Sequence, residues 1–311
     1  MITLHWLYAL AGAMFAAFAL LSAVDRANHK RFGNAAFWGL LALSFFAGDR
    51  LGDFGNGILV LCLVGLAGFH ALGRGDPPTT TERERIDYSE TLGNKLFLPA
   101  LVIPATALLG TFFLKDSGLI DPAQVTLISL GLGVLLALAA CFAWLRPPVL
   151  APLQEGRRLM DSVGWAAVLP QMLAALGAVF AMAGVGEVVG GIAGTVIPDG
   201  NLFAAVAVFA VGMALFTMIM GNAFAAFPVM VAAVGLPILI RQYGGDPAIV
   251  CAIGMLAGFC GTLMTPMAAN FNIVPAVLLD LKDQNGVVKA QVGTAIPLFV
   301  VNLLLIYFLA F

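Results

Sequence analysis

Between residues 254 and 279 the chain reads GMLAGFCGTLMTPMAANFNIVPAVLL, an apolar run long enough to cross a bilayer that carries Thr262, Thr265, Pro266, Asn270, Asn272 and Pro275 at its centre. Every unsatisfied backbone group in hydrocarbon costs several kcal/mol, so a spanning segment stays helical unless its break is buried in protein or faces a watery cavity. Pro266 removes an N–H and disfavours helix at Thr265, and Pro275 does the same at Val274. The chain between them is therefore expected to be frayed or extended. Its hydroxyls and amides supply oxygen and N–H partners, and its alanines let another backbone approach. This is the pattern of a broken transmembrane helix, 254–279, holding a ligand or ion near the bilayer midplane. The competing reading is a proline-kinked helix whose amides bind neighbouring helices.

The elements that would position such a site are all hydrophobic. Of 311 residues, 61% are hydrophobic and 10% charged, with a mean hydropathy of +1.00, whereas a soluble domain carries about 25% charged residues. The expected fold is an all-α polytopic membrane protein of about ten hydrophobic segments, since apolar runs of roughly 20 residues recur along the chain. It forms a single membrane domain over 1–311: a five-helix part to residue 145, an interfacial segment 146–162, and a C-terminal part 163–311. Spans are expected at 4–24, 35–48, 57–73, 96–114, 123–145, 164–184 and 202–220, with a last one at 290–311. The stretch 221–247, interrupted by Pro228, Gly235 and Pro237, fits either one span or a re-entrant hairpin. The first run lacks a basic leader and reads as a retained helix. Basic residues gather in loops 25–34, 74–95 and 146–161, which the positive-inside rule assigns to the cytoplasm, leaving the N-terminus outside.

Several chemistries are excluded. The sequence has no GxxxxGK[ST], HExxH or GxSxG, so nucleotide binding, zinc hydrolysis and serine hydrolysis lack their residues. Asp49, Asp53 and Asp246 follow glycines in short loops at span ends, which argues against an intramembrane aspartyl protease. No enzymatic activity and no cofactor or metal is expected, beyond a Na⁺ at the broken helix. Cys62, Cys141, Cys251 and Cys260 lie unpaired in apolar runs and read as small core residues. Glu187 is the one acid of interest in the second half. It is a candidate proton carrier if VGEVVGGIAG dips into the membrane, and a solvated charge if, as the lack of Lys and Arg suits, 185–200 is an outer loop. Gln171 beside Pro170 reads as interhelical glue.

The runs GMALFTMIMGNAFAAFPVM and GMLAGFCGTLMTPMAANFNIVPAVLL, with FWGLL, GNKLFLPALVIP and GWAAVLPQMLAALGA, closely resemble a bacterial permease family known as domain of unknown function 979, over the whole chain. That resemblance implies one subunit of an inner-membrane transporter for 5-oxoproline (pyroglutamate), working with a second, smaller membrane subunit. The last third more loosely resembles the ion-transporter superfamily, especially the large membrane subunit of TRAP transporters, with their hairpin and broken helix. Gly261, Thr265, Pro266 and Asn270 take comparable places, while Met267 replaces a proline and Ala269 a glycine of that pattern. The resemblance adds Gly221 and Asn222, at the start of the hairpin, to the candidate site. Only one such unit is recognisable, so the partner subunit is expected to supply the other half.

The expected function is thus a secondary-transporter subunit for a small organic anion, coupled to Na⁺ or H⁺, embedded in lipid and without a nucleic-acid partner. No Arg or Lys lies at the middle of an apolar span, so a carboxylate would be held by half-helix N-termini, and freed carbonyls with Thr and Asn oxygens would suit Na⁺. The alternative is a structural subunit of a membrane complex.

Overall fold

In a computed structural model of the chain, residues 1–75, 80–115, 117–279 and 281–311 are described, without the side chains of Glu82, Pro170, Leu173, Ala174 and Asn270. Part of the basic loop expected at 74–95, residues 76–79, lies outside them. The described residues are helical, apart from loops and one isolated bridge between Ile2 and Ile120. Contacts divide the chain into two units, Met1–Gly164 and Trp165–Phe311.

The first unit opens with α1 (Leu4–Val24) and α2 (Arg31–Gly68). A straight helix of 38 residues would be about 57 Å long, yet Lys30 Nζ donates to the His70 carbonyl (2.7 Å) and Asn34 Nδ2 to the Gly73 carbonyl (2.6 Å). The run must fold back on itself. It does so at Gly52, whose φ of 63° and ψ of −179° suit only a residue without a Cβ. The two expected spans 35–48 and 57–73 are therefore the arms of one helical hairpin. Trp38 is packed by Phe15, Phe18 and Phe37 at centroid distances of 5.8, 6.3 and 5.0 Å.

The surface helix α3 (Glu82–Leu92) is closed at its N-terminus by a Thr81–Glu84 capping box, which satisfies otherwise orphan N–H groups. It stops at Gly93, and a 3₁₀ turn (Gly93–Phe97) leads through Leu98-Pro99 into α4 (Leu98–Phe113), which pairs with α5 (Val125–Leu145). The amphipathic α6 (Ala151–Val163) ends the unit with the same device: Gly164, a 3₁₀ turn to Val168, then Leu169-Pro170. The two glycines adopt nearly the same backbone, with φ and ψ of 51° and −132° at Gly93 and of 56° and −128° at Gly164. Proline in the first turn of a helix costs no hydrogen bond, so each Leu-Pro sets the entry of an apolar helix.

The second unit contains α7 (Leu169–Met182), α8 (Val185–Val196), α9 (Leu202–Met220), α10 (Ala223–Met230) with its continuation Val231–Gln242, α11 (Pro247–Leu263), α12 (Ala269–Leu278) and α13 (Gly286–Leu309). The axes of Ala175–Met182 and Val185–Val196 differ by 71°. The break is at Gly184, with φ of 70°. Helix α9 is central, packed by α10, α11 and α13, and Phe209 fills notches left by Gly235 and Gly254.

Three expectations are corrected. The stretch 221–247 is not a re-entrant hairpin: Ala223–Gln242 is one helical run that qualifies as a span. Pro228 and Pro237 remove N–H donors within it, and its second half winds in the wider π register. The outer loop expected at 185–200 is largely helix α8, because its small and branched apolar residues pack along the π segment, with Gly186 and Gly190 against Ala232 and Ala233. Among the described residues seven helices, or eight counting the bent pair, are long and apolar enough to cross a membrane, against about ten segments expected. The α2 hairpin counts as one run, and the apolar α11 is short at 17 residues.

Candidate functional site

Two helix interruptions meet in the second unit. Helix α9 ends at Gly221, whose φ of 74° places it in the left-handed region and whose N–H bonds the Thr217 carbonyl at 2.7 Å. The next residue, Asn222, is extended, and its Oδ1 accepts from Phe224 N (2.7 Å) to open α10. One glycine and one cap thus stop a helix and restart it within two residues.

Helix α11 is started by Asp246, whose Oδ1 accepts from Ala248 N and Ile249 N at 2.8 and 3.1 Å. It stops at Leu263, where Pro266 forbids continuation. The chain unwinds only over 264–268 and re-enters helix at Ala269. The expectation of a frayed stretch from Pro266 to Pro275 is corrected accordingly: Pro275 is carried inside α12.

The interruptions are in contact. A side chain at position 221 would run into the Met267 carbonyl, and one at Gly261 into the Ala214 carbonyl. Thr265 Oγ1 donates to the Met218 carbonyl (2.9 Å) and accepts from Met267 N (3.2 Å), linking the end of α9 to the second break. Asn272 is 1% exposed, and its Nδ2 donates to the carbonyls of Thr262 and Thr265 at 2.8 and 2.6 Å. Pro266 leaves the Thr262 carbonyl without its helical N–H partner, and the Thr265 carbonyl has a long bond from Ala268 N at 3.4 Å beside that of Asn272. Thr262 Oγ1 bonds back to the Phe259 carbonyl (2.6 Å).

Asn272 Oδ1 and Thr217 Oγ1 are buried without a hydrogen-bond partner among the described residues. Orphan oxygens beside two unwound segments, with α10 and α12 both beginning there, form a polar nook in an apolar unit. Oxygen atoms of this kind suit a hard cation, and helix N-termini suit an anion.

Of the candidates from sequence, the structure gathers Gly221, Asn222, Gly261, Thr262, Thr265 and Asn272 in this region. Pro266 is exposed at its edge, and the Asn270 side chain lies outside the described residues. Glu187 is not among them. It lies exposed in the first turn of α8, beside Gly186, which meets Ala232 and the Val229 carbonyl, two to three turns along α10 from Asn222. Gln171 is exposed.

Sequence reading missed Thr217 and Asn302. Asn302 is buried in α13, and its Nδ2 reaches Cys260 Sγ at 3.5 Å. Both are single polar residues inside long apolar runs, a signal that intramembrane polarity is functional or structural.

Apolar helices that cross, bend and restart around buried uncharged polar groups define a multi-pass helical membrane protein with broken helices. Within that class the chain belongs to the family of proteins of unknown function DUF979, whose model matches residues 5–311. Comparison with curated proteins and with solved structures gave no match.

Proposed function

We propose that this chain is a subunit of a secondary transporter for a small organic anion, with 5-oxoproline as the substrate its family resemblance suggests. The observation that carries the reading is the meeting of the Gly221 and Met264–Ala268 breaks around the unpartnered Asn272 Oδ1. A carboxylate would lie at the N-termini of α10 and α12, and a coupling Na⁺ would take carbonyl, Thr and Asn oxygens. Glu187, near the bend of α7 and α8, is the candidate for proton coupling. The membrane is the bacterial inner membrane, with the N-terminus outside, and a second, smaller membrane subunit completes the site.

The test is uptake of labelled 5-oxoproline by cells expressing the chain with and without that subunit. Uptake requires both, and Asn270→Ala and Thr265→Val each weaken substrate or Na⁺ affinity by about tenfold to a hundredfold, the equivalent of roughly 1–3 kcal/mol. Well-folded variants with unchanged affinities would refute the site. One observation favours a second reading: the Asn272 amide nitrogen stitches two carbonyls of its own chain, as a structural subunit would require. There the same substitutions lower protein stability and leave affinity alone.

A further inference from the structure

The first unit holds a buried charged cluster that the transport reading does not use. Asp25, at the end of α1, pairs through Oδ2 with Arg157 NH2 of α6 at 3.0 Å. Arg157 NH1 also donates to the Leu21 carbonyl (2.9 Å). One turn further along α6, Asp161 Oδ1 accepts from Trp38 Nε1 at 2.8 Å. Arg157 and Asp161 are 3% and 8% exposed, and Asp161 Oδ2 has no hydrogen-bond partner among the described residues.

The guanidinium pairs with Asp25, so the Asp161 carboxylate leaves one negative charge in excess, beside Trp38 and the rings of Phe18 and Phe37 packed on it. The other charges of the packed elements do not supply the missing cation. Lys30 Nζ bonds the His70 carbonyl, Arg31 stacks over Phe32, and Arg158 pairs with Glu155. Arg26, His29, Arg74 and Arg146 are exposed, as are His5, Asp49, Arg50 and Asp53 towards the opposite ends of their helices. An unpaired buried charge is costly, and an acid in this position resolves the cost by taking up a proton.

We propose that Asp25, Arg157 and Asp161 form a proton-binding site: one proton, taken from solvent by Asp161, neutralises the cluster and tightens the seating of α6 on α1 and α2. Burial pushes the Asp161 carboxyl above the ordinary range, against the lowering effects of the Trp38 hydrogen bond, Arg157 and Asn34, while Asp25 adds to the rise. An acid bound more tightly by its proton in the folded state adds stability that is complete below its unfolded value. That stability is lost as pH rises through the folded value.

The full chain in lipid nanodiscs, titrated by infrared difference spectroscopy and tryptophan fluorescence, tests this. The wild type shows the carbonyl band of a neutral carboxyl above the pH at which exposed carboxylates have ionised, and a fluorescence step from Trp38 at the same midpoint. Asp161→Asn lacks both, and its thermal midpoint stays flat where the wild type's falls with rising pH. Trp38→Phe keeps the band and loses the step. Asp25→Asn leaves Asp161 in place beside an unshared Arg157, so the midpoint moves down by about one unit or more. Absence of the band from the wild type, its survival in Asp161→Asn, or an unmoved midpoint in Asp25→Asn overturns the proposal.

Discussion

The two units bury polarity in opposite ways. Among its described residues the first keeps charged side chains buried where Asp25 follows α1 and α6 carries Arg157 and Asp161. Trp38, which bonds Asp161, is packed by the rings of Phe15, Phe18 and Phe37. The second unit buries no ion pair among its described residues. It places uncharged Thr217, Asn222, Thr262, Thr265, Asn272 and Asn302 inside apolar helices, packed by small residues such as Ala210, Ala214, Ala223 and Ala257. The difference follows from the solvent. A charge near a helix end is held by one partner and nearby water, whereas at depth in hydrocarbon only neutral groups bonded to backbone are affordable.

The comparison is broken most severely by Arg157→Met, which strands Asp25 in the first unit and costs about 3–5 kcal/mol. Thermal unfolding followed by the loss of helical circular dichroism reads the effect. Adding Asp25→Leu to Arg157→Met should restore much of the lost stability, since the ion pair is then removed whole and the remaining Asp161 carboxyl can be held neutral by its proton. In the second unit the largest effect is backbone. Gly221→Val meets both a left-handed φ and the Met267 carbonyl, costing about 3 kcal/mol or more. Gly200 has the same φ of 74° but open space around it, so Gly200→Ala costs only about 1–2 kcal/mol. If the two cost the same, the close approach of the breaks is not what fixes Gly221.

Asn272→Ala comes next. It unpairs the Thr262 carbonyl, leaves Thr265 with only the 3.4 Å bond from Ala268 N, and costs about 1–3 kcal/mol. Asn302→Ala, which removes only a weak contact to sulfur at 3.5 Å, costs less than Asn272→Ala in the same assay. Smallest of all, Asp283→Asn removes the exposed ion pair with Lys289 and leaves the unfolding midpoint unchanged, because solvent screens such pairs.

Much of the second unit's break was legible in the residues. Thr265-Pro266 marks where α11 must stop, read from local chemistry, whereas Gly221-Asn222 entered through the family resemblance and its role as helix stop and cap is seen in the structure. What faces what was not. Nothing local says that Gly221 abuts the Met267 carbonyl or that Asn272 turns its nitrogen back on Thr262 and Thr265. Gly93 and Gly164 stand before similar Leu-Pro entries, yet their shared conformation is visible only in the backbone.

Glu187 and Asp161 mark the two sides of that limit. An outer loop was expected around Glu187 because the stretch has no Lys or Arg, but packing of Gly186 and Gly190 on the π segment makes it helix. Asp161 read as part of a basic interfacial stretch, and only folding brings it to Trp38, 123 residues away. The sequence by itself determined the solvent of this protein, its helical class and the places where helices cannot continue, because hydropathy, proline and glycine act over a few residues. Tertiary structure alone decided which polar groups meet and which are left unpartnered, since those depend on contacts between segments far apart in the chain that no local preference specifies.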